Sequence, residues 1–108
     1  MTKHIQVGIV LQSLSQAMRI AGHWSVIGIS EEALNSQQPF CLDTMNFNQW
    51  LQFVLIPRMQ TLIDGQQTLP SFIKGQGIEP MASQFYSNET VDQNIIQLIR
   101  QLDGLLQN

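Results

Sequence analysis

Two histidines, one cysteine, eight acids and five cations are the groups with which this 108-residue chain could do chemistry. His4 and His23 stand far apart, and no His, Cys, Asp or Glu accompanies them at the short spacings a metal centre needs. No metal and no cofactor is therefore expected. Cys41 paired with a histidine would imitate a thiol nucleophile and its base. Nothing around it supports that pairing, so it reads as a buried thiol acting as a small hydrophobe. Gly75-Gln76-Gly77 lacks the preceding strand and following helix of a phosphate-cradling loop, and no serine sits in a nucleophile elbow. No catalytic residue can be assigned.

Asp43 and Arg58 are the charged residues of the chain's most distinctive segment. One reading makes them an internal tie: Asp43 orders the Asp43-Thr44-Met45 turn, and Arg58 grips it or nearby loop carbonyls with its guanidinium fork. The other makes Arg58, with Trp24 and Trp50 nearby, part of an anchor for a partner or ligand, since Trp and Arg dominate interface hot spots. Phe40, on a loop behind a proline, is the exposed aromatic candidate for the same surface, while Trp50 reads as core. Trp24, Phe40, Asp43 and Arg58 are thus the candidate surface.

The elements that must position these groups are helical. From Lys3 to Ala21, Val7, Leu11, Leu14, Met18 and Ala21 recur at steps of four and three, with Thr2 as the cap and Gly22 where a left-handed residue would end the helix. Gly8 inside it costs about 1 kcal/mol unless a neighbouring helix uses the missing side chain for close approach. Val26-Ile27-Gly28-Ile29 is too short and unpartnered for a strand. Ser30 caps a short helix beginning Glu31-Glu32.

Asn46 and Gln49 form a capping box, with Met45 and Trp50 as its hydrophobic staple, and open a helix running to Ile63. Pro57 should kink that helix and cancel the bond to the Phe53 carbonyl. A connection from Gln66 to Gly77 precedes a short helix over Pro80 to Phe85. The final helix is capped by Ser87 or Asn88 and carries Val91, Ile95, Leu98, Leu102 and Leu105. The fold class is all-α: a small bundle of three main amphipathic helices plus short helical pieces, one helix kinked at Pro57, in a single domain spanning residues 1–108.

Charged residues make up 12%, about half the usual share, and sixteen glutamines replace them, so the surface is polar without being ionic. The five cations, Lys3, Arg19, Arg58, Lys74 and Arg100, are dispersed and the net charge is −3, which argues against direct nucleic-acid binding. One cysteine cannot form an internal disulfide, and the longest apolar runs fall far short of a membrane span or signal core. A soluble cytoplasmic chain with no membrane partner is expected.

Gln38-Pro39-Phe40, Asp43-Thr44-Met45, Trp50-Leu51 and the run Val54-Leu55-Ile56-Pro57-Arg58-Met59 resemble the signature of the YqcC-like family. His23-Trp24 upstream and Leu69-Pro70 downstream match as well, so the resemblance covers nearly the whole chain. Cys41 stands where relatives carry an aromatic, and Phe47 where a proline follows the cap. The resemblance implies a small bacterial all-α protein of unestablished function, sometimes labelled tRNA pseudouridine synthase C after a neighbouring gene. That enzyme needs an aspartate in a sizeable mixed α/β domain with an RNA cleft, which a chain of this length and charge does not supply.

Two functions follow. The first is a non-catalytic interaction or accessory module whose partner is a tRNA pseudouridine synthase or another protein. The second is a small-molecule-binding bundle with an apolar pocket lined by Trp, Phe, Met and one Arg. An apolar cavity faced by Arg58 would favour the second, and an exposed patch around Phe40 and Trp24 the first.

Overall fold

A computed structural model describes residues 2–73 and 76–107; Lys74 and Gly75 lie outside the described residues. Helix α1 runs Lys3–Ile20, started by the Thr2 hydroxyl accepting from the Ile5 amide at 3.3 Å. It buries Val7, Leu11, Leu14 and Met18 of the expected stripe and Val10 beside them, while Ala21, expected in the same stripe, is half-buried at the C-cap. Gly22, at φ 77°, turns the chain left-handed, so that the Gly22 amide reaches the Arg19 carbonyl and the His23 amide the Met18 carbonyl at 2.8 Å. A Cβ on Gly8 would meet only Ile63 Cδ1, at an ordinary 3.9 Å, so no close approach needs this glycine. Gly8→Ala should raise stability by about 0.5–1 kcal/mol in chemical denaturation, and a loss would contradict the open site.

His4 bonds through Nε2 to the Gln67 carbonyl at 2.6 Å and ties the start of α1 to the turn after Asp64. Residues 23–29 form no strand. They are held from outside: the buried Gln52 amide accepts from the Ser25 N–H and donates to the Ser25 carbonyl, each at 2.8 Å, as a neighbouring strand would. Helix α2, Glu31–Leu34, is capped by Ser30. A 3₁₀ turn follows at Pro39–Cys41, where Phe40 and Cys41 adopt φ 55° and 52°.

Helix α3, Phe47–Trp50, opens with the expected box, Asn46 Oδ1 accepting from the Gln49 amide and Gln49 Oε1 from the Asn46 amide, both at 2.9 Å. Met45 is buried beneath Trp50, completing the staple. The helix continues as a π turn at Leu51–Leu55 and then as α4, Ile56–Asp64. The disruption expected at Pro57 therefore lies one turn upstream. The Ile56 amide reaches back five residues to the Leu51 carbonyl, and this wider turn lets the chain pass into the proline with helical backbone on either side.

At the end of α4 the left-handed residue is Gln66, φ 52°, one position after the glycine. Helix α5 spans Glu79–Phe85 and α6 spans Thr90–Leu106. The cap of α6 is Glu89, because the expected capper Ser87 spends its hydroxyl on the Asp92 carboxylate and the Glu89 amide. The apolar stripe is also rotated from the expected one. Ile95, Ile96, Ile99, Leu102 and Leu106 are buried, whereas Val91, Leu98 and Leu105 are half-buried, since α6 packs against both α1 and α5.

These helices share one core, with Cys41, Met45 and Val54 in a satellite cluster under α2. The protein is an all-α bundle; the described residues include one isolated bridge, Phe72 to Gln107, and no strand. No helix among the described residues is long and apolar enough to cross a membrane.

Candidate functional site

Part of the set that carries the family resemblance converges in space, from the stretch Trp50 to Met59 and from Leu69-Pro70. Trp50, Val54, Leu55, Arg58 and Met59 from the α3–α4 rod face Leu69, Pro70 and Phe72 from the following connection, with Ile78 also in the lining, across a groove of about 420 Å³. Two features of the chain build it. The π turn shifts the register of the rod between Trp50 and Met59, and the Phe72 amide donates to the Leu106 carbonyl at 2.7 Å, pinning the opposite wall to the end of α6. Arg58 is the single charged residue of the lining, is exposed, and has no hydrogen-bond or ion-pair partner among the described residues. An unpaired guanidinium beside an apolar trough suits a ligand with an anionic group next to an apolar body.

Of the four residues singled out in the sequence, only Arg58 lines this groove. Asp43 is exposed and accepts from the Ser36 hydroxyl on the far side of the 3₁₀ turn, so the tie to Arg58 is absent. The turn it belongs to is fastened instead by the Thr44 hydroxyl on the Ala33 carbonyl at 2.8 Å. Phe40, expected outside, is half-buried with its ring edge-on to Trp50 at 4.8 Å, because two left-handed residues fold it back over α3. Trp24 is half-buried under the Arg19 guanidinium, 4.4 Å from its ring centre. The exposed patch expected around Phe40 and Trp24 is thus not formed, whereas the Arg-faced groove is.

The sequence reading missed a second polar constellation. His23 Nε2 lies 2.7 Å from Asp92 Oδ1, while Asp92 Oδ2 accepts from the Ser87 amide at 3.0 Å and the Ser87 hydroxyl at 2.8 Å. The Ser87 hydroxyl and the imidazole share one carboxylate, so the histidine is not placed to activate the serine. The Tyr86 ring packs against His23 at 5.6 Å; burial raises its phenol well above the ordinary value, and Asp92 adds to the shift. Burial pushes the Asp92 carboxyl up, but the His23 ring and the two Ser87 donors together hold it below the ordinary value.

The stability this network contributes is therefore full above about pH 4 and lost as pH falls through the depressed value. Melting temperature measured from pH 7 to pH 2 should fall at the acid end, and Asp92→Asn should flatten that fall. Parallel acid limbs in the two proteins would contradict the assignment.

The family described as tRNA pseudouridine synthase C matches residues 6–105. An uncharacterized protein of Escherichia coli, YqcC, is 46% identical over 70 residues, 65% of this chain and 64% of that one. An uncharacterized protein of Haemophilus influenzae is 40% identical over 63 residues, 58% of this chain and 59% of that one. A protein of Pectobacterium carotovorum named tRNA pseudouridine synthase C is 43% identical over 70 residues, 65% of this chain but 19% of that protein. The matched stretch thus spans less than two thirds of each of these relatives. The solution NMR structure of YqcC from E. coli superposes with a TM-score of 0.81 at 35% identity, covering 98% of this chain and 89% of that one.

Proposed function

This chain belongs to the YqcC-like family, and from that premise we propose that it is a non-catalytic accessory module that docks a tRNA pseudouridine synthase in the cytoplasm. The observation that carries the reading is that the feature faced by Arg58 is a half-open groove and not the enclosed apolar cavity that a small-molecule-binding bundle needs. The groove gathers Val54, Leu55 and Met59 of the motif Val54-Leu55-Ile56-Pro57-Arg58-Met59 with Leu69-Pro70 around one unpaired cation, Arg58, and among the described residues its lining holds no second titratable group with which to move a proton. The two buried acids outside it are committed: Asp92 to His23 and Ser87, and Asp103 to the Ile78 and Glu79 amides.

The identity of the partner is supported by the Pectobacterium relative. Since 70 residues are 19% of it, that chain is about 370 residues long, and a stretch like this one occupies a minor part of a protein named as the synthase. Joining two modules in one chain supplies a local concentration in the millimolar range, which separate chains must replace with affinity. The dispersed cations and net charge of −3 leave tRNA contact to the synthase.

The test is calorimetric titration of the chain into the purified pseudouridine synthase C of the same organism, alongside an assay of pseudouridine in tRNA. The reading expects a saturable one-to-one complex of micromolar or better affinity and no pseudouridine formed by the chain alone. Modification of tRNA without the synthase, or no complex at 100 µM, would overturn it.

A further inference from the structure

We propose that the groove between α4 and the Leu69-Pro70 connection takes a short apolar peptide segment of the synthase that presents a carboxylate to Arg58. This rests on the accessory reading and names the face and the chemistry it uses. Three observations carry it. Charge comes first. The chain carries net −3, yet the one charged residue in the groove is a cation, exposed and unpartnered, while Arg100 is tied to Glu79 at 3.2 Å and Arg19 lies over Trp24. A planar guanidinium left open at the margin of an apolar surface matches a carboxylate in two parallel hydrogen bonds.

Shape comes second. The groove is half-open to solvent and is walled by Trp50, Met59, Leu62 and Phe72, so an occupant can enter sideways while the rest of it stays outside. A peptide within a larger protein does this; an enclosed cavity would be required to hold a small amphiphile by burial of most of its surface. Rigidity comes third. The α3–α4 rod is continuous from Phe47 to Asp64 and the opposite wall is pinned to α6 through Phe72, so little ordering accompanies binding at these walls.

The experiment titrates the wild-type chain, Arg58→Ala, Arg58→Glu and Lys3→Glu with the intact synthase and with 15-residue peptides tiling its sequence, followed by Trp fluorescence and by melting of each variant. Arg58→Ala should weaken the synthase complex about tenfold and Arg58→Glu about 100-fold or more, with the salt dependence of binding reduced in both. Lys3→Glu, the same charge change at the exposed start of α1, should bind as wild type. All four should melt within about 2 °C of one another, since Arg58 has no partner to lose. The binding peptides should contain Asp or Glu, or a chain end, among apolar residues.

A wild-type complex that Arg58→Glu leaves intact would overturn the groove assignment while the accessory reading stands. No complex with the wild-type chain would bring down both. Quenching of the groove by decanoate, with every peptide silent, would give the site to a small amphiphile and overturn the peptide occupant.

Discussion

Phe47→Ala should destabilise the protein by about 3–5 kcal/mol, a large part of the roughly 5–15 kcal/mol that holds a domain of this size. Phe47 is fully buried at the start of α3, and its ring touches four others: Trp50 stacked at 5.8 Å, Tyr86 edge-on at 5.9 Å, Phe85 at 5.7 Å and Phe40 at 6.0 Å. Through these contacts one side chain joins the 3₁₀ turn, α3 and the end of α5. Truncation removes the ring's transfer free energy and leaves a void among rigid aromatic neighbours that cannot collapse into it. Equilibrium denaturation measures the loss. A cost below about 1.5 kcal/mol would mean that the cluster re-packs and that Phe47 is not its centre.

Gly77→Ala should cost about 2–4 kcal/mol, although Gly77 is only half-buried and makes no side-chain contact. A Cβ there would sit 2.4 Å from both Cγ and Oδ2 of Asp103. That carboxylate, buried in α6, accepts from the Ile78 amide at 2.9 Å and the Glu79 amide at 2.8 Å, and so caps α5 from a different helix. Residue 78 itself supplies no side-chain cap. The methyl must push the carboxylate off the two amides or shift the backbone that carries them, and either leaves charge-assisted hydrogen bonds broken in a buried place. Asp103→Ala, which removes the acceptor without touching the turn, should cost a similar amount. Because both act on one contact, the double variant should cost much less than their sum. Additive losses in the double-mutant cycle would show that Gly77 and Asp103 act separately.

These two residues mark where sequence reading stops. The helix signals that lie within a few residues of one another were legible: Thr2 and Gly22 bracketing α1, Ser30 capping α2, and the Asn46–Gln49 box with its Met45–Trp50 staple. Each is local physics, set by the backbone groups a helix end leaves unpaired. The contacts of Asp103 with residues 78 and 79, His23 with Asp92, and Gln52 with Ser25 join parts of the chain far apart in sequence, and no spacing rule announces them.

The proline was legible as a disturbance, but its resolution as a π turn was not, because the extra residue is absorbed upstream in a stretch that is apolar but for Gln52 and carries no break signal. Arg58 was legible as unusual. That it faces an apolar groove instead of Asp43 depends on the connection through Leu69, Pro70 and Phe72 returning over α4, which the end of α6 decides.

Amide hydrogen exchange of the chain, free and in complex, reads out whether this groove is the face the synthase covers. Protection on binding should concentrate in residues 50–62 and 68–73, the groove's two walls, with the exposed face of α1 around Ile5 and Ile9 exchanging as in the free chain. Protection confined to α1 and α6, with the groove exchanging unchanged, would contradict the account.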